Sequence, residues 1–146
     1  MKVLLVRHGD ALPARDSDET RILSVKGRDQ TRALGAELIA KQLAPARIVA
    51  SPLVRAVQTA EILASSLGWK ATVEIDGALV PEGDPWRAET MFGTASGLVI
   101  AVTHEPIIRV IAARLVQQAT FPAFRTSGAV LIEDGRAAMK FDPAAG

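Results

Sequence analysis

Residues 3–6 (VLLV) and 98–102 (LVIAV) are apolar without interruption, so as extended backbone each would present hydrocarbon on both of its faces. A strand with one solvated face alternates apolar with polar residues, whereas a strand covered by helices on both sides does not. Residues 2–6 are therefore expected to form a central strand, and residues 97–103 a second one. Glu105-Pro106 then opens a helix carrying Ile107, Ile108, Val110, Ile111, Leu115 and Val116.

The rest of the chain repeats this order. Ser24 is a candidate cap for a helix through LSVKGRDQTRALGAELIAKQL, where Val25, Leu34, Leu38, Ile39 and Leu43 gather on one face. Residues 47–50 read as a strand, and Ser51-Pro52 as a cap with proline in the first helical position, so a helix is expected from residue 52. Its apolar positions Leu53, Val57, Ala60, Leu63 and Leu67 step by three or four until Gly68 stops it. Residues 72–75 suggest another strand, GALVPEGDP a loop, and 85–93 a short helix. Residues 129–132 and 137–141 flank the turn Glu133-Asp134-Gly135-Arg136, a hairpin by its turn chemistry. The expected architecture is α/β: a three-layer α/β/α sandwich on a mostly parallel central sheet with one antiparallel strand. No repeat, low-complexity segment or linker divides residues 1–146, which are expected to form a single domain.

Composition excludes several classes of partner. Seventeen basic against sixteen acidic side chains leave a net charge of +1, so no global field favours nucleic acid or an anionic membrane. Any anion site must be local. No cysteine is present, which removes disulfides and thiolate metal sites and suits a reducing cytoplasm. MKVLLVRHG carries only a short apolar run before Arg7, and no later run nears the roughly 20 residues that cross a bilayer, so a soluble, cytoplasmic protein is expected.

In open parallel sheets, ligands bind beyond the carboxyl ends of the strands. That rule puts His8, Ser51 and His104 on one rim, because each follows a strand directly. Arg7 precedes His8, and Arg55 lies in the first turn of the helix after Ser51-Pro52, where unpaired backbone N–H groups and a positive dipole end already favour an anion. Two arginines and both histidines of the chain thus converge. Four such groups repel one another unless an anion joins them, and phosphate matches the planar guanidinium fork. A neutral imidazole is a good nucleophile toward phosphorus, so His8 is the candidate nucleophile; Gly9 would permit close backbone approach, and Arg7, Arg55 and His104 would neutralise the phosphoryl oxygens.

LLVRHGDA, SPLVRAVQTAEIL and VTHEP, with the LSVKGRDQ helix start, resemble the signatures of the histidine phosphatase superfamily, the phosphoglycerate mutase-like branch 1. The resemblance covers most of the chain. It implies a phosphoglycerate mutase-like fold and a phosphatase in which His8 accepts the phosphoryl group, Arg7 and Arg55 bind it, and His104 is the second active-site histidine. Small size, the RHGDA start, the PEGD loop and FRTSGAVLIE are most similar to bacterial SixA-type phosphohistidine phosphatases. On that resemblance no cofactor or metal is expected. The expected partner is a phosphorylated protein, such as a histidine phosphotransfer domain, and the chain is expected to be a monomer.

An alkyl phosphate needs a proton on its leaving oxygen, and many members of the superfamily take it from a carboxylic acid in the loop after the third strand. Glu82 and Asp84 are the candidates here, and SixA-type proteins are thought to lack the usual donor, so neither is assigned by spacing. A P–N bond to imidazole lessens the demand for an acid. Residues 76–97 hold room for one loop and one short helix only, which implies an open site suited to a phosphorylated side chain on another protein. Arg15, Arg21, Lys26, Arg28 and Arg32 are candidates for docking such a partner, though a solvated helix face accounts for most of them equally well. The rival readings are a phosphatase of small phosphate esters, such as a sugar phosphate or nucleotide, and a non-catalytic phosphate-binding module. A dinucleotide site fails for want of G-x-G-x-x-G, and HEPII lacks the H-E-x-x-H zinc spacing. Trp69, Trp86 and Met91 are expected as core or cover residues, and Ser127 at the start of a strand.

Overall fold

The computed structural model describes residues 1–143. Its strands are β1 (Lys2–Arg7), β2 (Arg47–Ala50), β3 (Glu74–Ile75), β4 (Leu98–Thr103), β5 (Ala129–Glu133) and β6 (Arg136–Phe141), and its helices α1 (Val25–Ala40), α2 (Val54–Ser66), α3 (Pro85–Gly93) and α4 (Ile107–Leu115). The strands form one sheet in the order β3-β2-β4-β1-β5-β6. Strands β3, β2, β4 and β1 are mutually parallel, and β5 runs against both β1 and β6, so one strand of the sheet is reversed.

The uninterrupted apolar runs are explained by two cores, one on each face. Leu4 and Val6 of β1 pack with Ile100 and Val102 of β4 against Leu34 and Leu38 of α1 and Ala60 and Leu63 of α2. Their neighbours Val3, Leu5, Val99 and Ala101 face the other way, onto Phe92 of α3 and Ile108 and Ile111 of α4. Each fully buried aliphatic side chain of this kind is worth about 1.5–3 kcal/mol relative to exposure, so neither face tolerates a charge.

Local signals account for most element ends. Ser24 Oγ accepts the Gly27 N–H at 3.0 Å and caps α1. Asp84 Oδ1 accepts the N–H groups of Trp86 and Arg87, both at 3.1 Å, with Pro85 first in α3. The hairpin turns on Asp134 and Gly135, whose φ values of 49° and 80° lie where a two-residue turn matching strand twist requires them.

Several boundaries and packing expectations shift. The helix expected from residue 52 begins at Val54, because the first helical acceptor is the Leu53 carbonyl and Ser51 Oγ instead takes the Leu53 N–H at 3.2 Å. The strand expected over 72–75 shortens to Glu74–Ile75, the only positions that pair with β2 at this sheet edge. On α1, Val25 and Ile39 are exposed, while Leu43 packs into the core from beyond the helix end. Trp69 and Met91 pack against the cores as expected, whereas Trp86 stands 65% exposed with the Arg114 guanidinium 4.9 Å from its ring centre.

Register then fixes the rim. Pairing of Arg7 with Thr103 brings His8 level with His104, and pairing of Ala50 with Val102 brings Ser51 to the same end of the sheet.

Candidate active site

The two imidazoles lie side by side where β1 and β4 end, their ring centres 5.0 Å apart at an interplanar angle of 53°. His8 Nδ1 is 2.7 Å from the Gly9 carbonyl. A carbonyl only accepts, so Nδ1 carries the proton and Nε2 is left with its lone pair. Arg55 Nε–H donates to that Nε2 at 3.4 Å, a long and weak contact.

Arg55 is nearly fully buried and held from behind. Its Nη1 donates to the Asp18 carbonyl at 2.8 Å and its Nη2 to Asp18 Oδ2 at 3.1 Å. Asp18 opens a single 3-10 turn, Asp18–Thr20, in the loop after β1. Desolvation works to raise its pKa, but hydrogen bonds and charge from Arg55 and Arg21 outweigh it and hold the carboxyl below the usual range. Arg7 Nη1 donates to the Phe124 carbonyl at 2.8 Å, while Arg7 Nε is buried with no partner among the described residues. The Phe124 N–H in turn donates to Glu105 Oε2 at 2.7 Å, and Arg109 Nε donates to Glu105 Oε1 at 2.6 Å.

His104 Nε2 lies 2.7 Å from Ser51 Oγ, and its Nδ1 is buried without a partner among the described residues. Burial is the main reason that the His8 pKa falls from 6.5 to about 4; the Gly9 carbonyl partly offsets it, and Arg55, Arg7 and Arg21 push it down further. His104 falls to about 3, again chiefly through burial, then through His8 and Arg55. Both rings are therefore neutral near neutral pH.

Gly9 is hemmed in. A Cβ there would stand 2.9 Å from the Gly27 carbonyl oxygen, 3.0 Å from Thr31 Oγ1 and 3.1 Å from Ser127 Oγ. Its N–H donates to Thr59 Oγ1 at 3.0 Å, joining the β1 exit to α2. Ser127 adopts φ 57° ahead of β5, and its N–H donates to the carbonyls of Arg7 and His8.

Arg7, His8, Gly9, Arg55 and His104 thus come together as the sequence places them. Glu82 is exposed and makes no hydrogen bond or ion pair among the described residues, while the Asp84 carboxylate is engaged as the α3 cap. The carboxylate that reaches the cluster is Asp18, in a polar loop with no periodic signal. Of the basic residues after β1, Arg21 turns in to the Leu12 carbonyl and Asp18, and Arg32 pairs with Asp29. Ser51, read as a helix-opening residue, also touches the cluster at His104 Nε2, and Glu105 reaches it only through the Phe124 backbone that holds Arg7.

A mostly parallel sheet that presents two neutral imidazoles and two guanidinium groups beyond its strand ends defines an oxyanion-binding α/β protein built for phosphoryl chemistry. The sequence profile of the histidine phosphatase superfamily (branch 1) matches residues 3–80, and the chain belongs to that family. It is 35% identical over 133 residues to the phosphohistidine phosphatase SixA of Escherichia coli (strain K12), covering 87% of this chain and 81% of that one. A structure of the protein histidine phosphatase SixA complexed with tungstate superposes with a TM-score of 0.90 at 27% identity, over 98% of this chain and 97% of the other. The fold also matches a mycobacterial glucosyl-3-phosphoglycerate phosphatase, with a TM-score of 0.70 at 18% identity over 89% and 88% of the two chains. No helix among the described residues is long and apolar enough to cross a membrane.

Proposed function

We propose that this chain, acting as a single domain and a monomer in the cytoplasm, is a phosphatase that removes the phosphoryl group from phosphohistidine on a protein. A histidine phosphotransfer domain is the candidate substrate. The observation that carries the reading is the bare Nε2 of His8, fixed by the Gly9 carbonyl behind Nδ1–H and set among Arg7, Arg55 and His104. Similarity to SixA and to its complex with tungstate, a phosphate-like oxyanion, supports it.

In this mechanism His8 Nε2 attacks phosphorus in line. The P–N bond to the substrate imidazole breaks as the P–Nε2 bond forms, and that ring, protonated from solvent at its other nitrogen, leaves as neutral imidazole with the electron pair. Water then attacks phosphorus, its proton leaves to solvent or phosphate, and the pair returns to Nε2. Phosphoryl transfer needs positioning and charge stabilisation more than covalent chemistry. Arg7, Arg55 and His104 supply this at the equatorial oxygens, and loss of one donor lowers the rate roughly 100- to 1,000-fold. Gly9 acts indirectly: its missing side chain lets α1 and Ser127 close in behind the exit of β1 that carries His8. A P–N substrate places little demand on an acid, so Glu82 is a candidate proton donor only toward alkyl esters.

The test is a panel at matched concentrations: a phosphohistidine protein, phosphoserine peptides and small phosphate esters, with wild type and His8→Ala. The phosphohistidine protein is expected to be turned over fastest, an alkaline quench, in which a P–N bond survives, is expected to trap phosphate on His8, and His8→Ala is expected to be inactive. Retained turnover in His8→Ala, or small esters as the fastest substrates, overturns the reading.

A further inference from the structure

Ser51 enters none of the steps above, yet it is fully buried and its Oγ lies 2.7 Å from His104 Nε2. The neutral His104 ring has two tautomers, which present opposite faces to an anion. One offers Nδ1–H, and the other offers a lone pair that repels a phosphoryl oxygen.

Hydrogen-bond accounting separates them. Ser51 Oγ already accepts the Leu53 N–H. If Nε2–H also donated to Oγ, the buried hydroxyl proton would have no acceptor among the described residues, and Nδ1 would be a second unsatisfied buried atom. If the hydroxyl donates to Nε2, every proton on the Ser51 side is used and only Nδ1–H remains open. An unmade buried hydrogen bond is costly, so the second arrangement prevails.

Topology gives the open group its direction. Strand β4, which ends before His104, lies between β2, which ends before Ser51, and β1, which ends before His8. The two nitrogens of an imidazole point widely apart, so a ring with Nε2 turned to the β2 side directs Nδ1 toward the β1 side. Arg7, the last residue of β1, belongs to that side as well, and its buried Nε has no partner among the described residues.

We propose that Ser51 is a positioning residue: its hydroxyl proton, donated to His104 Nε2, locks the ring as the Nδ1–H tautomer and aims that N–H at the phosphoryl group. The catalytic consequence rests on the function proposed above, but the tautomer is a property of the resting protein.

The deciding measurement is a long-range 1H–15N correlation spectrum of uniformly labelled wild-type protein near pH 7. His104 is expected to show a protonated Nδ1 and a bare Nε2; a protonated Nε2 overturns the proposal. Because no substrate is involved, this result stands or falls separately from the phosphohistidine reading, and it needs no variant that folds. In Ser51→Ala, the expected result is a mixed tautomer population, with tungstate affinity lower by ~10-fold, a partial loss of one donor. A Ser51→Ala protein with the wild-type tautomer and unchanged tungstate affinity also overturns it.

Discussion

Acidification from pH 7 to pH 5 should destabilise this protein through its two histidines before any carboxylate matters. His8 and His104 are buried and neutral in the native state, with pKa values pushed down to about 4 and about 3. Once unfolded, each returns to ~6.5 and takes up a proton that the native ring refuses. The sign follows: native-state stability is complete above the unfolded value and is lost as pH falls from there toward the native value. At pH 5 an imidazole of pKa ~6.5 gains about 2 kcal/mol from protonation, and the native rings gain almost none, so the pair removes about 4 kcal/mol. That is a large part of a typical 5–15 kcal/mol. Asp18 and Glu74, both held below the ordinary carboxylate range, lose their stabilisation only under more acidic conditions. The assay is urea unfolding at pH 7, 6 and 5 of wild type, His8→Asn, His104→Asn and the double variant, comparing the pH slope and not the absolute stability. Wild type should lose about 4 kcal/mol, each single variant about 2, and the double variant almost none. A double variant with the wild-type slope, or a wild type flat over this range, refutes the claim that both rings are buried and neutral.

The His8 Cε1–H resonance should show no titration between pH 8 and ~5, in place of the midpoint near ~6.5 of a free side chain. Glu105→Ala should weaken tungstate binding by ~10-fold, a loss within the range for one unsatisfied buried group, because the Phe124 N–H loses its acceptor and the carbonyl of the same residue positions Arg7; isothermal titration measures it. Gly27→Ala should lower stability by roughly 1–3 kcal/mol in thermal melts, since its Cβ would collide with the Asp10 backbone carbonyl. Glu82→Gln should leave hydrolysis of a phosphohistidine protein within about 2-fold of wild type, because that P–N bond places little demand on an acid.

Strand periodicity carries the fold because it is a local property. Whether residues 3–6 and 98–102 are covered on both faces is written in those residues, and the rim at the strand ends follows, bringing His8, Arg55 and His104 within reach of inference. Exact element ends were less legible. Pro52 is a good first helical residue, yet the Ser51 hydroxyl is engaged with His104, and the helix begins after Leu53. Val25, nine residues before Leu34, and Ile39, directly after Leu38, are apolar but fall off the face that Thr31, Leu34 and Leu38 bury, since at 3.6 residues per turn neither spacing returns to it. Asp18 was illegible for a different reason. Its contact with Arg55 joins a polar loop to a helix 37 positions away, and no periodicity encodes such a pairing.

Those illegible contacts share a geometric logic. Arg55 is tied at both terminal nitrogens to Asp18, Arg7 at Nη1 to the Phe124 carbonyl, His8 at Nδ1 to the Gly9 carbonyl and His104 at Nε2 to Ser51. Each group is anchored on one side, leaving Arg7 Nε and His104 Nδ1 without a partner among the described residues and Arg55 Nε on a 3.4 Å bond to His8 Nε2. A bond that long is readily surrendered, so in the mechanism proposed above the N–H facing His8 Nε2 is already placed to take a phosphoryl oxygen while the planar guanidinium stays anchored on Asp18. The donors need not be gathered at the moment of reaction, and that pre-organisation is where electrostatic catalysis gains most.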